Sequence, residues 1–176
     1  MAVVVEDSVL LLVDLQARLM PAIHDGANVI AQAVRLATIA KLLAVPVVGT
    51  EQNPAGLGEN VEEIKRLCDV TIAKTRFDGC LDGLREALPE GRRTIVVAGC
   101  EAHVCMMQTA LGLLQHGCDV RIVRDAVGSR RPLDRDAALA RLKDAGAGLV
   151  TTEMIAFEWL RSSDHPQFRA VLSYVK

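Results

Sequence analysis

The sequence predicts a three-layer α/β/α fold, in which helices cover both faces of a six-stranded parallel sheet. Short apolar runs rich in β-branched residues alternate with longer segments of 3.6-residue periodicity. Strands joined by helical crossovers pair in parallel and carry helices on both faces. The chain has 176 residues, of which 51% are hydrophobic and 24% charged, as in a well-packed globular protein. We therefore expect a single domain over residues 1–176.

Each element is predicted from its own run of residues. The first strand, "SVLLLVD", is apolar throughout, which is typical of a strand buried on both faces. The predicted strands, in chain order, are residues 8–14, 45–51, 70–74, 94–99, 119–126 and 148–153. The predicted helices are residues 27–44, 60–67, 80–88, 103–117 and 133–146. An apolar segment at residues 154–160 follows the last strand.

Composition excludes several classes of function. A net charge of −2, spread along the chain, offers no basic patch for nucleic acid. The apolar runs are far shorter than the roughly 20 residues of a membrane-spanning helix, and the N-terminus lacks the pattern of a secretory signal. The five cysteines are odd in number and form no CxxC pair, which indicates neither a disulfide framework nor a zinc site. We expect a reduced, cytoplasmic protein in which Cys68, Cys80 and Cys118 are structural.

Three different reactive groups fall at the same predicted edge of the sheet. Asp14 ends the first strand, Lys74 ends the third, and Cys105 lies just past the fourth. Ligands of open parallel sheets bind outside the carboxyl ends of the strands. The sequence therefore predicts a cleft where a carboxylate, an ammonium and a sulfur meet.

Each of these residues also has an ordinary structural interpretation. Cys105 falls in the first turn of its predicted helix, where the helix dipole favours a thiolate, but a cysteine also packs as a small hydrophobe. Asp14 could transfer a thiol proton or cap a turn. Lys74 could stabilise neighbouring anions or be solvated. His103 would point about 200° away from Cys105 on a helix, so we expect no Cys–His pair.

Three segments together resemble the isochorismatase-like cysteine hydrolases over about residues 8–155. They read "LLLVDLQARLMP", "AKTRFDGC" and "VVAGCEAHVCMMQTALGLLQHGCDVRIVRDAVGSR". The resemblance implies a Rossmann-like fold with a six-stranded parallel sheet, a triad of Asp14 and Lys74 with Cys105 as the nucleophile, and a cis peptide bond between Cys100 and Glu101. That bond would turn the Glu101 amide toward the Cys105 amide to form an oxyanion hole.

The chain departs from the family pattern in two places. Ala102 stands where the family commonly has a threonine, which removes a hydroxyl group near the site. The stretch "TEQNPAGLG" lacks the histidines of the metal set found in the nicotinamidase branch. We therefore expect no metal and no other cofactor.

The resemblance implies a metal-free hydrolase that cleaves a C–N bond of a small amide through a thioester intermediate. Phe77, Arg76 and Arg18 are candidates for the substrate pocket, although each is equally suited to a surface or packing role. The alternatives are a thiol-based sensor or a catalytically silent relative that binds a metabolite, a nicotinamidase or isochorismatase, and a purely structural assembly protein. The family also implies a homo-oligomer, a dimer or larger, with residues 154–175 as a possible contact.

Overall fold

The computed structural model describes residues 2–175 and contains the predicted six-stranded sheet. The strands are β1 (Ser8–Val13), β2 (Val47–Gln52), β3 (Val70–Lys74), β4 (Thr94–Gly99), β5 (Asp119–Val127) and β6 (Gly148–Val150). The helices are α1 (Gly26–Leu42), α2 (Pro54–Leu57), α3 (Glu62–Lys65), α4 (Leu84–Ala87), α5 (Cys105–Gln115), α6 (Pro132–Asp144), α7 (Thr152–Leu160) and α8 (Phe168–Val175).

All five strand pairings are parallel, in the order β3-β2-β1-β4-β5-β6. The chain first winds outward from β1 to β3 and then returns to place β4 on the other side of β1. Such a reversal opens a crevice at the carboxyl ends of the two central strands. The crevice therefore lies where β1 ends before Asp14 and β4 ends before Cys100.

Two apolar layers bury β1 completely, which explains its uninterrupted hydrophobic sequence. Leu10 and Leu12 pack into one layer together with α1, α7 and α8. Val9 and Leu11 pack into the opposite layer with α5 and α6. Because successive side chains of a strand point to opposite faces, a strand covered on both faces is apolar along residues 9–13, and its one polar residue, Ser8, is buried with a hydrogen bond of 3.0 Å from Trp159 Nε1. This burial holds β1 rigidly under the crevice.

The close approach of β4 to β1 depends on Gly99. Its φ of 123° lies outside the range that other residues readily adopt, and a Cβ atom there would lie 2.1 Å from the carbonyl oxygen of Val13. The Cys100 amide then donates a hydrogen bond of 2.8 Å to that same oxygen. Glycine at this position thus brings the end of β4 against the end of β1.

The sequence-based boundaries differ from the observed ones at several helix ends and at the last strand, which ends at Val150 instead of residue 153 because α7 begins at Thr152. Strands β3 and β4 have the predicted bounds, whereas the helix expected at 60–67 is one turn, Glu62–Lys65. The helix expected from residue 103 begins at Cys105, because Val104 has a non-helical φ of −121° and ψ of −99°. Among residues 2–175, no helix is both long and apolar enough to cross a bilayer.

Candidate active site

The structure brings a buried ion pair and a sulfur together at the carboxyl edge of the sheet. Asp14 follows β1, Lys74 is the last residue of β3, and Cys105 is the first residue of α5. The Lys74 Nζ lies 2.9 Å from Asp14 Oδ2, and neither side chain is exposed to solvent. Cys105 is 6% exposed. The three residues that the sequence places at one edge therefore form one cluster.

Asp14 is fixed in place by its neighbours on β2. Its Oδ1 accepts a hydrogen bond of 2.6 Å from the Thr50 hydroxyl, and its amide donates to the Thr50 carbonyl oxygen at 3.1 Å. Its φ of 49° places a non-glycine residue in the left-handed region, which costs about 1–3 kcal/mol and recurs at functional sites. Thr50 and the ion pair together hold the carboxylate in this strained position.

The surroundings of Cys105 oppose the thiolate that a position in the first turn of α5 would favour. Burial raises the pKa of the Cys105 thiol to about 12, and the negative charge of Asp14 raises it further than the Lys74 ammonium lowers it. The start of α5 gave the sequence signal for a thiolate, but the sequence showed neither the burial nor the nearby carboxylate. Burial and the Asp14 charge therefore both favour the protonated form of the sulfur.

Sequence reasoning missed Gln52, the last residue of β2. The Gln52 Oε1 accepts a hydrogen bond of 2.7 Å from Lys74 Nζ and lies 3.8 Å from the Cys105 Sγ, which donates to it. The side chain thus links the ammonium to the sulfur. Its position at a strand end, beside the ends of β1 and β3, was the available signal.

The peptide bond between Cys100 and Glu101 is cis, as the family resemblance implies. The Glu101 carbonyl oxygen accepts hydrogen bonds from the amides of Val104 (3.0 Å) and Met106 (3.2 Å), which join this bond to the start of α5. Within residues 2–175, neither the Glu101 amide nor the Cys105 amide donates to a protein acceptor. Both amides therefore remain available to an oxygen atom of a ligand.

The Glu101 carboxylate points into a second, smaller network. Its Oε2 accepts hydrogen bonds from the backbone amide (3.1 Å) and the Nε (3.0 Å) of Arg130. Ala102 is fully buried and packs in the apolar layer with α5, so a methyl group occupies the position of the family threonine. His103 directs its Nδ1 to the Ser129 hydroxyl at 2.9 Å, which agrees with the predicted absence of a Cys–His pair.

The three residues proposed for a substrate pocket lie outside the cluster's hydrogen bonds. Arg18 donates to the carbonyl oxygens of residues 55 and 56. Arg76 donates to the Leu81 carbonyl oxygen at 2.6 Å and Phe77 is 50% exposed. Within residues 2–175, no hydrogen bond or ion pair joins any of the three to Asp14, Lys74 or Cys105. Their role in binding stays a prediction.

A metal-binding set is not evident in the part of the chain that the structure describes. Over residues 2–175, no three or more histidine, cysteine, aspartate or glutamate side chains are grouped so that they could hold a metal ion. The Lys74 ammonium occupies the centre of the cluster instead, between Asp14 and Gln52.

Residues 8–154 match the isochorismatase domain, and the chain belongs to that family. It is 37% identical to the mouse isochorismatase domain-containing protein 2A, over 97% of this chain and 84% of that protein. It is 38% identical to the zebrafish isochorismatase domain-containing protein 1, over 96% of this chain and 61% of that longer protein.

Solved structures of similar proteins confirm the fold, and these proteins are described with different functions. A Caenorhabditis elegans structure described as MAR1 ribonuclease has a TM-score of 0.94 and 34% identity, over 99% of this chain and 92% of that one. The YcaC protein of Pseudomonas aeruginosa, solved with hexane-2,5-diol and covalent acrylamide, has a TM-score of 0.90 and 28% identity, over 98% and 91%. Escherichia coli YcaC, described as an octameric hydrolase of unknown specificity, has a TM-score of 0.86 and 26% identity, over 99% and 96%.

Proposed function

We propose that this protein is a cysteine hydrolase that cleaves a C–N bond of a small amide or related compound without a metal ion. The observation that carries the proposal is the buried Asp14–Lys74 pair beside the Cys105 sulfur. A buried ion pair adds little net stability compared with apolar packing, so its position in a cleft next to a nucleophile favours a chemical role.

The first half-reaction forms a thioester. Because the Cys105 thiol has a raised pKa of about 12, its attack needs a base, and Asp14 takes the proton as the sulfur bonds to the substrate carbonyl carbon. The amides of Glu101 and Cys105 donate hydrogen bonds to the carbonyl oxygen as it gains negative charge. The C–N bond then breaks, and the leaving nitrogen takes the proton from Asp14.

The second half-reaction restores the enzyme. Asp14 removes a proton from a water molecule, whose oxygen attacks the thioester carbon, and the carboxylic acid leaves as the proton returns to the Cys105 sulfur. Lys74 keeps its charge throughout and stabilises the Asp14 carboxylate and the transient sulfur anion in turn. The charge of the cluster thus changes little at any step.

The geometry favours this function over the thiol-sensor alternative. A redox-sensing cysteine needs an accessible thiolate of low pKa, whereas Cys105 is 6% exposed and has a raised pKa.

Assembly into a homo-oligomer belongs to the same proposal. The E. coli YcaC relative is described as octameric. In this chain Met154 and Phe157 of α7 and Tyr174 of α8 are 40–47% exposed, so the helices expected to form a contact present apolar side chains on the surface. Size-exclusion chromatography with light scattering measures the number of subunits directly.

The experiment is a substrate screen with matched cysteine variants. Small amides, carbamoyl compounds, isochorismate-like enol ethers and nicotinamide are incubated with the unaltered protein, with Cys105→Ala and with Cys118→Ala. A short RNA is included because the C. elegans relative is described as a ribonuclease. We expect turnover of an amide or carbamoyl compound by the unaltered protein and by Cys118→Ala, and none by Cys105→Ala.

Other outcomes of the screen contradict the proposal. Turnover by Cys105→Ala at the unaltered rate would exclude this sulfur as the nucleophile. Cleavage of RNA alone would replace the substrate class, and peroxide oxidation of Cys105 with no turnover of any compound would favour the sensor.

A further inference from the structure

The Gln52 side chain is held from both of its ends. Its Oε1 accepts hydrogen bonds from Lys74 Nζ (2.7 Å) and Cys105 Sγ (3.8 Å), and its Nε2 donates to the Thr75 carbonyl oxygen at 2.7 Å. Its backbone amide donates to Gln16 Oε1 at 2.8 Å, and its backbone oxygen accepts from Gln16 Nε2 at 3.0 Å. These contacts fix both the position of the residue and the direction of its carboxamide.

The fixed direction of the carboxamide determines how Lys74 is oriented. Since the Nε2 group is committed to the Thr75 carbonyl oxygen, only the oxygen of Gln52 faces the ammonium. An ammonium has three donors: one goes to Asp14 Oδ2 at 2.9 Å and one to Gln52 Oε1. Among residues 2–175 no third acceptor binds the ammonium, and its charge acts on the nearby Cys105 sulfur.

Gln52 also contributes no charge, and this matters in a buried cluster. The charged groups that act most strongly on the Cys105 sulfur are Asp14 and Lys74, one negative and one positive. A glutamate in place of Gln52 would keep the same length and the same acceptor oxygen but would add a second negative charge near the sulfur. Like charges at this distance disfavour a thiolate.

We propose that Gln52 is a positioning residue, which holds the Lys74 ammonium beside the Cys105 sulfur with a neutral oxygen. This role rests on the proposed function of Cys105 as a nucleophile. It is tested without any substrate, so its failure is distinguishable from failure of the hydrolase proposal.

The experiment measures the rate at which iodoacetamide alkylates Cys105 between about pH 7 and pH 9. The thiolate is the reacting form, and peptide mass spectrometry quantifies the alkylated Cys105 at each time point. Gln52→Glu adds a charge at constant shape, and Gln52→Met removes the acceptor at similar length. We expect Gln52→Glu to slow the reaction about tenfold or more, a rise of at least about one unit in the thiol pKa. Gln52→Met should slow the alkylation about threefold. Without its second acceptor, the Lys74 ammonium is no longer held beside the sulfur, where its charge stabilises the thiolate.

The matched control is Gln115→Glu, the same chemical change at the exposed last residue of α5, ten residues from Cys105 and so about 15 Å along the helix from the cluster. This variant should react as the unaltered protein does. If Gln52 only fills space, Gln52→Met, shown to be folded by circular dichroism, reacts at the unaltered rate, whereas Gln52→Glu is slow through its added charge alone. That result, or an unaltered rate in either Gln52 variant, overturns the proposal.

If neither Gln52 variant folds, a neutron crystal structure of the unaltered chain gives the answer, because its amide deuterium atoms distinguish the carboxamide nitrogen from the oxygen. A Gln52 oxygen within hydrogen-bond distance of Lys74 Nζ supports the role. An amide nitrogen or a water molecule in that place contradicts it.

Discussion

Replacing Asp14 by asparagine removes one charge from the buried cluster and leaves the shape of the side chain nearly unchanged. Lys74 and Asp14 are fully buried and 2.9 Å apart, and removal of one partner of such a pair typically costs about 3–5 kcal/mol. In a chain of this size that lowers the melting temperature by about 6–20 °C. Differential scanning calorimetry measures the loss.

The same substitution separates two roles of the carboxylate. After burial, the Asp14 charge is the largest cause of the raised pKa of the Cys105 thiol, so Asp14→Asn lowers that pKa and speeds alkylation of Cys105 at neutral pH. Turnover falls by about 10²–10⁴-fold, the usual contribution of a general base. A more reactive sulfur in a less active enzyme is the expected combination.

A double variant controls for the stability loss. Asp14→Asn with Lys74→Met removes both charges, so it should be more stable than Asp14→Asn alone. The reasoning is refuted if Asp14→Asn leaves the melting temperature unchanged, if it slows alkylation in a folded protein, or if it retains turnover.

Further predictions concern the strand contact, the thiols, His103 and metal dependence. Gly99→Ala should destabilise the fold far more than Gly91→Ala, because both residues have positive φ but only Gly99 would place its Cβ against another strand. Thermal unfolding should show a loss of about 1–2 kcal/mol for Gly91→Ala. Equal losses for the two variants would contradict this. Burial raises the pKa of the Cys80, Cys100 and Cys105 thiols from 9.0 to about 12. The unfolded chain therefore releases these protons at lower pH, and the free energy of unfolding should fall as pH rises from 9 toward 12. Urea titrations at several pH values test this, and a free energy of unfolding that stays constant over this range would contradict it. His103→Gln should keep turnover, since the ring faces Ser129, and a loss similar to that of Cys105→Ala would give His103 a catalytic role. A chelator should leave turnover unchanged, whereas loss and recovery with added metal would reject the metal-free mechanism.

The sheet was predictable because its strands carry strong local signals. Strands β3 and β4 have the predicted bounds, and the rule for carboxyl ends of parallel strands was enough to place Asp14, Lys74 and Cys105 together. Helix α8 (Phe168–Val175) was not predicted as a helix, although Val171 packs in the apolar layer with α1 and α7. Of these two partners, α1 lies far from α8 in the sequence.

The properties of the site were harder to predict than its position. The high pKa of Cys105 depends on burial and on Asp14, neither of which the helix start could show. Gln52 has an ordinary side chain at the end of a strand, and its importance comes from contacts with Lys74 and Cys105, which are 22 and 53 residues away. Ala102 packs in the apolar layer where the family commonly has a threonine, and nothing in the structure explains that departure.

The most direct measurement of the central claim is mass spectrometry of protein quenched in acid during turnover of an active amide. The proposed mechanism predicts an acyl group, attached as a thioester to the peptide that contains Cys105, within the first turnover. The adduct should be absent from Cys105→Ala and present in Cys118→Ala. Steady turnover with no adduct under conditions that preserve thioesters, or an adduct on another residue, would contradict it.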